Sequence, residues 1–194
     1  MSVGRSLSLL LGGVFAALLL TGCANSGTGP VPPKTASKVD LKRYQGTWYE
    51  LARMPMYFQR DCAQSEAHYT LKDDGTVGVL NRCVTMEGKL EEATGTATPQ
   101  VPGKADKLWV VFDSWFSKLA PGVVKGDYWV LYIGDDYQTA LVGNPNRTYL
   151  WLLSRKPQVT PLVREELLAK ARQQGYDTKR LIWRVSDSNI ATTK

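Results

Sequence analysis

A chain of 194 residues, 43% hydrophobic and 22% charged, is long enough to bury a substantial core and reads as one domain. Its formal net charge of +6 is spread over interspersed acids and bases with no Lys/Arg-rich block, which argues against nucleic-acid binding. A single histidine and three cysteines without close ligand spacing argue against a metal centre, and no cofactor is expected.

In chain order, the first feature is the apolar run from Leu7 to Leu20 behind one basic residue, Arg5. It is shorter than the roughly 20 apolar residues of a membrane span and has the layout of a secretory signal peptide. It closes on Leu20-Thr21-Gly22-Cys23, which resembles the lipobox of bacterial lipoproteins. The resemblance implies removal of residues 1–22 and acylation of Cys23. Ala24 and Asn25 stand where an Asp would signal inner-membrane retention, which implies the outer membrane, with the protein facing the periplasm. From Ala24 to about Ser37 the chain is mostly Gly, Ser, Thr and Pro, so residues 23–38 are expected to be a lipidated cysteine and a flexible tether, spanning roughly 20 Å r.m.s..

Past Asp40 come eight β-type segments separated by turn residues: Gly46 to Met54, Ala63 to Leu71, Thr76 to Val84, Lys89 to Thr98, Lys107 to Phe112, Gly126 to Ile133, Thr139 to Val142 and Tyr149 to Ser154. Their even spacing and hairpin-length loops predict an antiparallel up-and-down meander, which removes its edges by closing into a barrel. One helix follows. Thr160 is its N-cap, Pro161 suits the first turn, Val163, Leu167, Leu168 and Ala171 form the apolar side, and Gly175 stops it. Packed on the wall of an all-β barrel, it would be followed by Leu181-Ile182-Trp183 as a short ninth strand and by a frayed tail over 187–194.

With Cys23 assigned to the anchor, Cys62 and Cys83 remain, an even number in an exported protein. The turn Leu71-Lys72-Asp73-Asp74-Gly75-Thr76 between them folds the two segments together, so the cysteines are expected to pair. Closing such a loop stabilises by roughly 3 kcal/mol in the chain-entropy account.

Gly46-Thr47-Trp48-Tyr49-Glu50, preceded by Tyr44, resembles the G-x-W motif of the lipocalins. Asp135-Asp136-Tyr137 with Ala140, and Leu152-Leu153-Ser154-Arg155, resemble the second and third motifs of that family. The three occur in order before a single helix, over about residues 39 to 184 of a domain expected at 39–186, with Tyr44 to Arg53 and Tyr149 to Arg155 close to the bacterial outer-membrane and apolipoprotein D-like branch. The resemblance implies an eight-stranded barrel with one C-terminal helix, in which Gly46, Trp48 and Arg155 serve barrel closure: Trp48 plugs one end, Arg155 lays its guanidinium on the indole, and Gly46 lets the backbone pass close to the ring.

With the phase that the lipocalin resemblance implies, alternation along the strands places Ala52 and Met54, Ala67 and Tyr69, Leu108, Val110 and Phe112, and Tyr128, Val130 and Tyr132 inward as the ligand-binding lining. Leu71 shares the inward face, and Glu50 is its one carboxylate. Small residues Ala52, Ala67, Gly95 and Ala97 are expected to leave volume unfilled. Arg53, Arg60 and Lys118 would be the cations at the mouth. His68 is out of phase and faces outward, so no Ser-His-Asp arrangement can be built, and with Cys62 and Cys83 paired no thiol is left as a nucleophile. These features point to a non-enzymatic, membrane-anchored binder that transports or stores fatty acids or (lyso)phospholipids. Trp109 and Trp129, out of phase with the lining, suggest the alternatives of an interaction module docking a partner through the barrel exterior, or a homodimer, with a small lipocalin-fold enzyme as a third reading.

Overall fold

The computed structural model describes Met1, residues 31–113 and residues 125–191; Cys23, most of the tether and Lys118 lie outside the described residues. A short helix α1 (Leu41–Tyr44), N-capped by the Asp40 carboxylate, leads into β1 (Gly46–Arg53). Then come β2 (Cys62–Leu71), β3 (Val77–Thr85), β4 (Leu90–Val101), β5 (Lys104–Phe112), β6 (Gly126–Ile133), β7 (Thr139–Gly143) and β8 (Leu150–Ser154). Helix α2 (Pro161–Gln173) and a two-residue β9 (Ile182–Trp183) follow. From β1 to β8 every strand pairs antiparallel with its sequence neighbour, β1 pairs with both β2 and β8, which closes the sheet into a barrel, and β9 pairs with β1.

Local chemistry sets these elements. In the β2–β3 turn, Gly75 has φ +80° and the Lys72 amide donates to the Thr76 carbonyl at 2.8 Å. The Thr160 hydroxyl accepts from the Val163 amide at the start of α2, Pro161 occupies its first turn, and Gly175, at φ +86°, follows its end. The buried side of α2 is Leu167, Leu168 and Ala171, with Val163 beside them, as the periodicity predicts.

The barrel wall separates two apolar clusters. Inside are Trp48, Tyr44, Ala67, Tyr69, Val77, Val79, Ala97, Leu108, Val110, Val130 and Leu153. Outside, Leu51, Leu131, Leu141, Leu150 and Leu152 pack against the buried side of α2. Two β-bulges decide which residues belong to which cluster. In β1 the register against β8 shifts between Glu50 and Ala52, and in β6 the register against β7 shifts between Val130 and Tyr132. Each inserts one residue and inverts the alternation beyond it.

The ends of the described chain fill the two places where neighbouring strands part. β1 pairs with β2 only over Gly46 to Tyr49; beyond the bulge it pairs with β9, and the Val185 amide donates to the Ala63 carbonyl of β2 at 3.0 Å. The last β5–β6 pair is Lys107 with Trp129; past it the Ala36 amide donates to the Val130 carbonyl at 2.8 Å, and the Thr35 hydroxyl bonds the Asp106 carboxylate at 2.6 Å. The segment from Val31 to Ala36 is therefore fixed to the barrel, with the Lys34 amide on the Gln174 side chain and Arg147 on the Val31 carbonyl. This shortens the tether expected up to residue 38. Of the tail expected to be frayed, residues 187–191 are bonded to the barrel, since Asp187 accepts from Gln64 at 2.6 Å and the Ala191 amide donates to the Met86 carbonyl; residues 192–194 lie outside the described residues.

Candidate functional site

One end of the barrel is plugged. Trp48 is fully buried, its indole N–H donates to the Tyr44 carbonyl at 2.8 Å, and the Arg155 guanidinium lies 3.9 Å from the ring centre. Arg155 also donates to the carbonyls of Thr47 and Arg43, each at 2.8 Å, stitching the start of β1 to the end of α1. Gly46 has φ +87°, and a Cβ there would meet Arg155 at an ordinary 3.5 Å, so its backbone conformation, not crowding by the indole, calls for glycine.

Above this plug lies a cavity of about 340 Å³, at the small end of the range for ligand pockets. Its lining is mainly apolar, from Val77, Val79, Ala93, Ala97, Leu108, Val110 and Phe112 among others. Three linked tyrosines interrupt it, and polar and charged residues, Glu50, Gln59, Glu91 and Lys125 among them, also border it. The Tyr44 and Tyr128 hydroxyls are 2.9 Å apart, and Tyr128 donates to Tyr69 at 3.0 Å. Because the Tyr128 proton goes to Tyr69, Tyr44 donates to Tyr128 and the Tyr69 proton is left over for another acceptor. Burial pushes all three phenols up, Tyr69 to about 12, so at neutral pH they are uncharged donors. The Asn81 side-chain oxygen, also on the lining, is buried with no hydrogen-bond partner.

Toward the other end a charged network is buried beneath the β1–β2 connection. Arg53, only 2% exposed, donates to Glu50 at 2.9 Å and to the carbonyls of Gln59 and Cys62 at 2.6 and 2.9 Å. Gln59 donates to Glu50 and Ser65 and accepts from the Trp151 indole at 2.9 Å. Burial raises the Glu50 carboxyl above its usual value, and Arg53 and Gln59 pull it back only in part. Cys62 and Cys83 form the expected disulfide between β2 and β3, with Cα atoms 5.4 Å apart, and both border the cavity.

A closed eight-stranded meander, a plugged end, an internal apolar cavity and one helix on the wall agree with comparisons to known proteins. Residues 39–186 match the Lipocalin-like domain family model. The chain belongs to the lipocalin family. It is 41% identical over 145 residues to temperature-induced lipocalin-1 of Arabidopsis thaliana, covering 74% of this chain and 77% of that protein. It is 34% identical over 179 residues to outer membrane lipoprotein Blc of Escherichia coli K12 (90% and 94% covered), and 33% identical over 144 residues to bovine apolipoprotein D (70% of each). Among solved structures, apocrustacyanin C2 superposes with a TM-score of 0.61 at 18% identity over 82% of this chain and 92% of that one, a likeness of fold.

In this lipocalin the structure brings Ala67, Tyr69, Leu108, Val110, Phe112 and Tyr128 together on the cavity wall. Val130 is buried in the inner cluster but is not among the cavity-lining residues. Ala52, Met54 and Tyr132, expected inward, lie instead in or against the outer cluster. The reason is the pair of bulges: Ala52 and Met54 follow the one in β1, and Tyr132 follows the one in β6, where its hydroxyl donates to Glu166 of α2 at 2.8 Å. The same inversion buries Arg53 against Glu50, so it is not a free cation at the mouth. Arg60 lies over the Tyr57 ring at 4.2 Å and beside Asp61. Gly95 does not leave free volume, because a Cβ there would come within 2.5 Å of the Val111 carbonyl.

The expected exposed tryptophan patch is corrected as well. Trp129 is buried against the outer cluster with Lys107 over its ring, and Trp109 is covered by Lys125 at 3.2 Å. His68 faces out and bonds the Thr47 hydroxyl at 3.0 Å. Sequence reading missed Gln59, Asn81 and Trp151 as cavity residues. Asn81 had a signal, being in phase with Val77 and Val79 on β3; Gln59 sits in a loop whose path no periodicity reports.

Proposed function

We propose that this lipocalin is a carrier that binds a fatty acid or lysophospholipid inside the barrel and transports or stores it in the cell envelope. It is held to the periplasmic face of the outer membrane through an acylated Cys23. The observation that carries the reading is the internal cavity of about 340 Å³, mainly apolar in its lining, with the neutral hydroxyl chain Tyr44–Tyr128–Tyr69 and the orphaned Asn81 oxygen on its wall and charged residues such as Glu50, Glu91 and Lys125 also bordering it. An acyl chain matches the apolar wall, each buried methylene contributing about 0.8 kcal/mol before ordering costs. A ligand hydroxyl or ester oxygen can take the unspent Tyr69 proton, and a ligand O–H or N–H can satisfy Asn81. The lipobox and the relatives named as outer membrane lipoproteins support the location. A carrier fits better than an enzyme, since His68 points away from the cavity, the inward carboxylate Glu50 is ion-paired with Arg53 and the three linked phenols are neutral.

Titration with a fluorescent fatty acid tests this. Ala67→Trp, which fills the cavity wall, should abolish saturable binding, with Ala93→Phe as a second obstruction should the first fail to fold; His68→Ala should bind as the parent does. Saturable binding that survives both obstructions in folded protein would place the lipid outside the barrel and end the carrier reading. Intact mass of the protein from its native membrane should show acyl groups on Cys23, and the Cys23→Ala protein should carry none; a lipid-free Cys23 would remove the anchor.

A further inference from the structure

Large apolar side chains exposed on the described surface are distributed unevenly. Apart from Met1 there are eight: Val31, Tyr57, Met86, Leu90, Val101, Val111, Leu162 and Ile182. Antiparallel topology assigns each to an end of the barrel. Tyr57 is in the β1–β2 connection, Met86 in the β3–β4 turn, Leu90 at the start of β4 and Val111 at the end of β5, while Ile182 pairs with Arg53 at the end of β1. Val31 is tied by Arg147 to the β7–β8 turn. All six therefore surround the end opposite the Trp48 plug, with exposures from 41% (Ile182) to 78% (Val31). Only Val101, at the end of β4, and Leu162, at the start of α2, are elsewhere.

We propose that this rim docks on a lipid bilayer, with the barrel mouth facing the membrane. Three observations favour a bilayer over a protein partner. The apolar side chains form a broken ring around an opening, a shape that can sink into headgroups but offers no flat, contiguous patch for a tight protein interface. The ring is continuous with an apolar cavity, so an acyl chain moves between bilayer and barrel without crossing water. The fixed part of the chain also starts at this end: from Val31 back to Cys23 is eight residues, a reach of at most about 28 Å, so an anchor on Cys23 keeps the mouth close to the surface. Arg60, stacked on Tyr57, and Lys89 flank the ring, but Asp61, Glu87, Glu91 and Asp113 share it. The contact is thus apolar rather than electrostatic, with no excess of positive charge to favour anionic lipid. Docking itself needs no ligand; only its use for loading rests on the carrier reading.

The test removes the anchor and asks whether the rim binds alone. A chain starting at residue 23 with Cys23→Ser retains the whole compact unit from Val31 onward. In flotation with phosphatidylethanolamine/phosphatidylglycerol vesicles it should bind, and Tyr57→Ser/Leu90→Ser should weaken binding by at least about tenfold. Val101→Ser/Leu162→Ser, at the plugged end, should stay within about twofold of the parent. Near-ultraviolet circular dichroism confirms that each variant is folded. A parent that does not float, or equal losses from both double variants, would overturn the proposal. So would a rim that only self-associates in sedimentation without vesicles. Fatty-acid titration in vesicle-free buffer separates the two hypotheses: its failure alongside the expected flotation result would sink the carrier reading and leave the docking surface standing.

Discussion

The two sides of the barrel wall are built differently. Outside, α2 and the wall form a layer of leucines, Leu141, Leu150, Leu152 and Leu167 among them, each at most 1% exposed. Inside, the aliphatic lining is interrupted by three linked phenols, an orphaned Asn81 oxygen and the buried Glu50–Arg53 pair, and about 340 Å³ is left open. Close packing of apolar side chains is what stabilises a fold, and cavities and buried charges subtract from it. The contrast teaches that the outer layer carries the stability that lets the inner one remain incompletely filled and chemically specific.

The largest effect expected from breaking this contrast is on the inner side. Arg53→Ala leaves Glu50 buried without its partner and should cost about 3–5 kcal/mol in urea unfolding, whereas Glu50→Gln/Arg53→Met, which removes both charges, should cost far less. A single variant no worse than the double one would show the pair to be unimportant. On the outer side, Leu167→Ala should cost about 2–5 kcal/mol and leave fatty-acid affinity of the folded protein unchanged. A change in affinity would mean that the two layers are mechanically coupled.

Cys83→Ser should lower stability by about 2–4 kcal/mol without abolishing binding, because the disulfide closes a 21-residue separation at the cavity border but supplies no contact that an acyl chain requires. Arg155→Met removes the cation on Trp48 and should cost about 1–2 kcal/mol, visible as a loosened indole in fluorescence quenching. The smallest effect is one of pH. Burial raises the folded-state Glu50 carboxyl above 4.5, so its protonation favours the folded form: the contribution is fully present below the unfolded value and is lost as pH rises through the folded one. Stability measured from about pH 4 to pH 7 should therefore vary less with pH in Glu50→Gln/Arg53→Met than in the parent. An unchanged slope would mean that the carboxyl keeps its ordinary value.

Much of this was legible in the residues. The strand boundaries, the helix with its Thr160 cap and Gly175 stop and the Cys62–Cys83 bond follow from periodicity and turn chemistry, which are local signals, and the Trp48–Arg155 plug from the resemblance of its motifs to those of the lipocalins. The cavity was readable only where the alternation runs unbroken, as on β2 from Gln64 and on β5 from Leu108, and there Ala67, Tyr69, Leu108, Val110 and Phe112 line it. Strand phase failed at Ala52, Met54 and Tyr132. A β-bulge is one extra residue whose place is set by how neighbouring strands and the helix pack, and neither bulge carries a glycine that would mark it.

The sequence by itself determined the eight strands, their hairpin turns and the one wall helix, because each of those arises between residues close in the chain; closure of β1 on β8 and the Trp48–Arg155 plug join the two ends of the domain and were legible only through the family motifs. Tertiary structure alone decided which polar groups are inside. The Glu50–Arg53–Gln59 network, the Tyr44–Tyr128–Tyr69 hydroxyl chain and the wedging of residues 31–36 and 182–185 into the parted strands join segments tens of residues apart. No local pattern reports such contacts, since their geometry exists only once the barrel has closed.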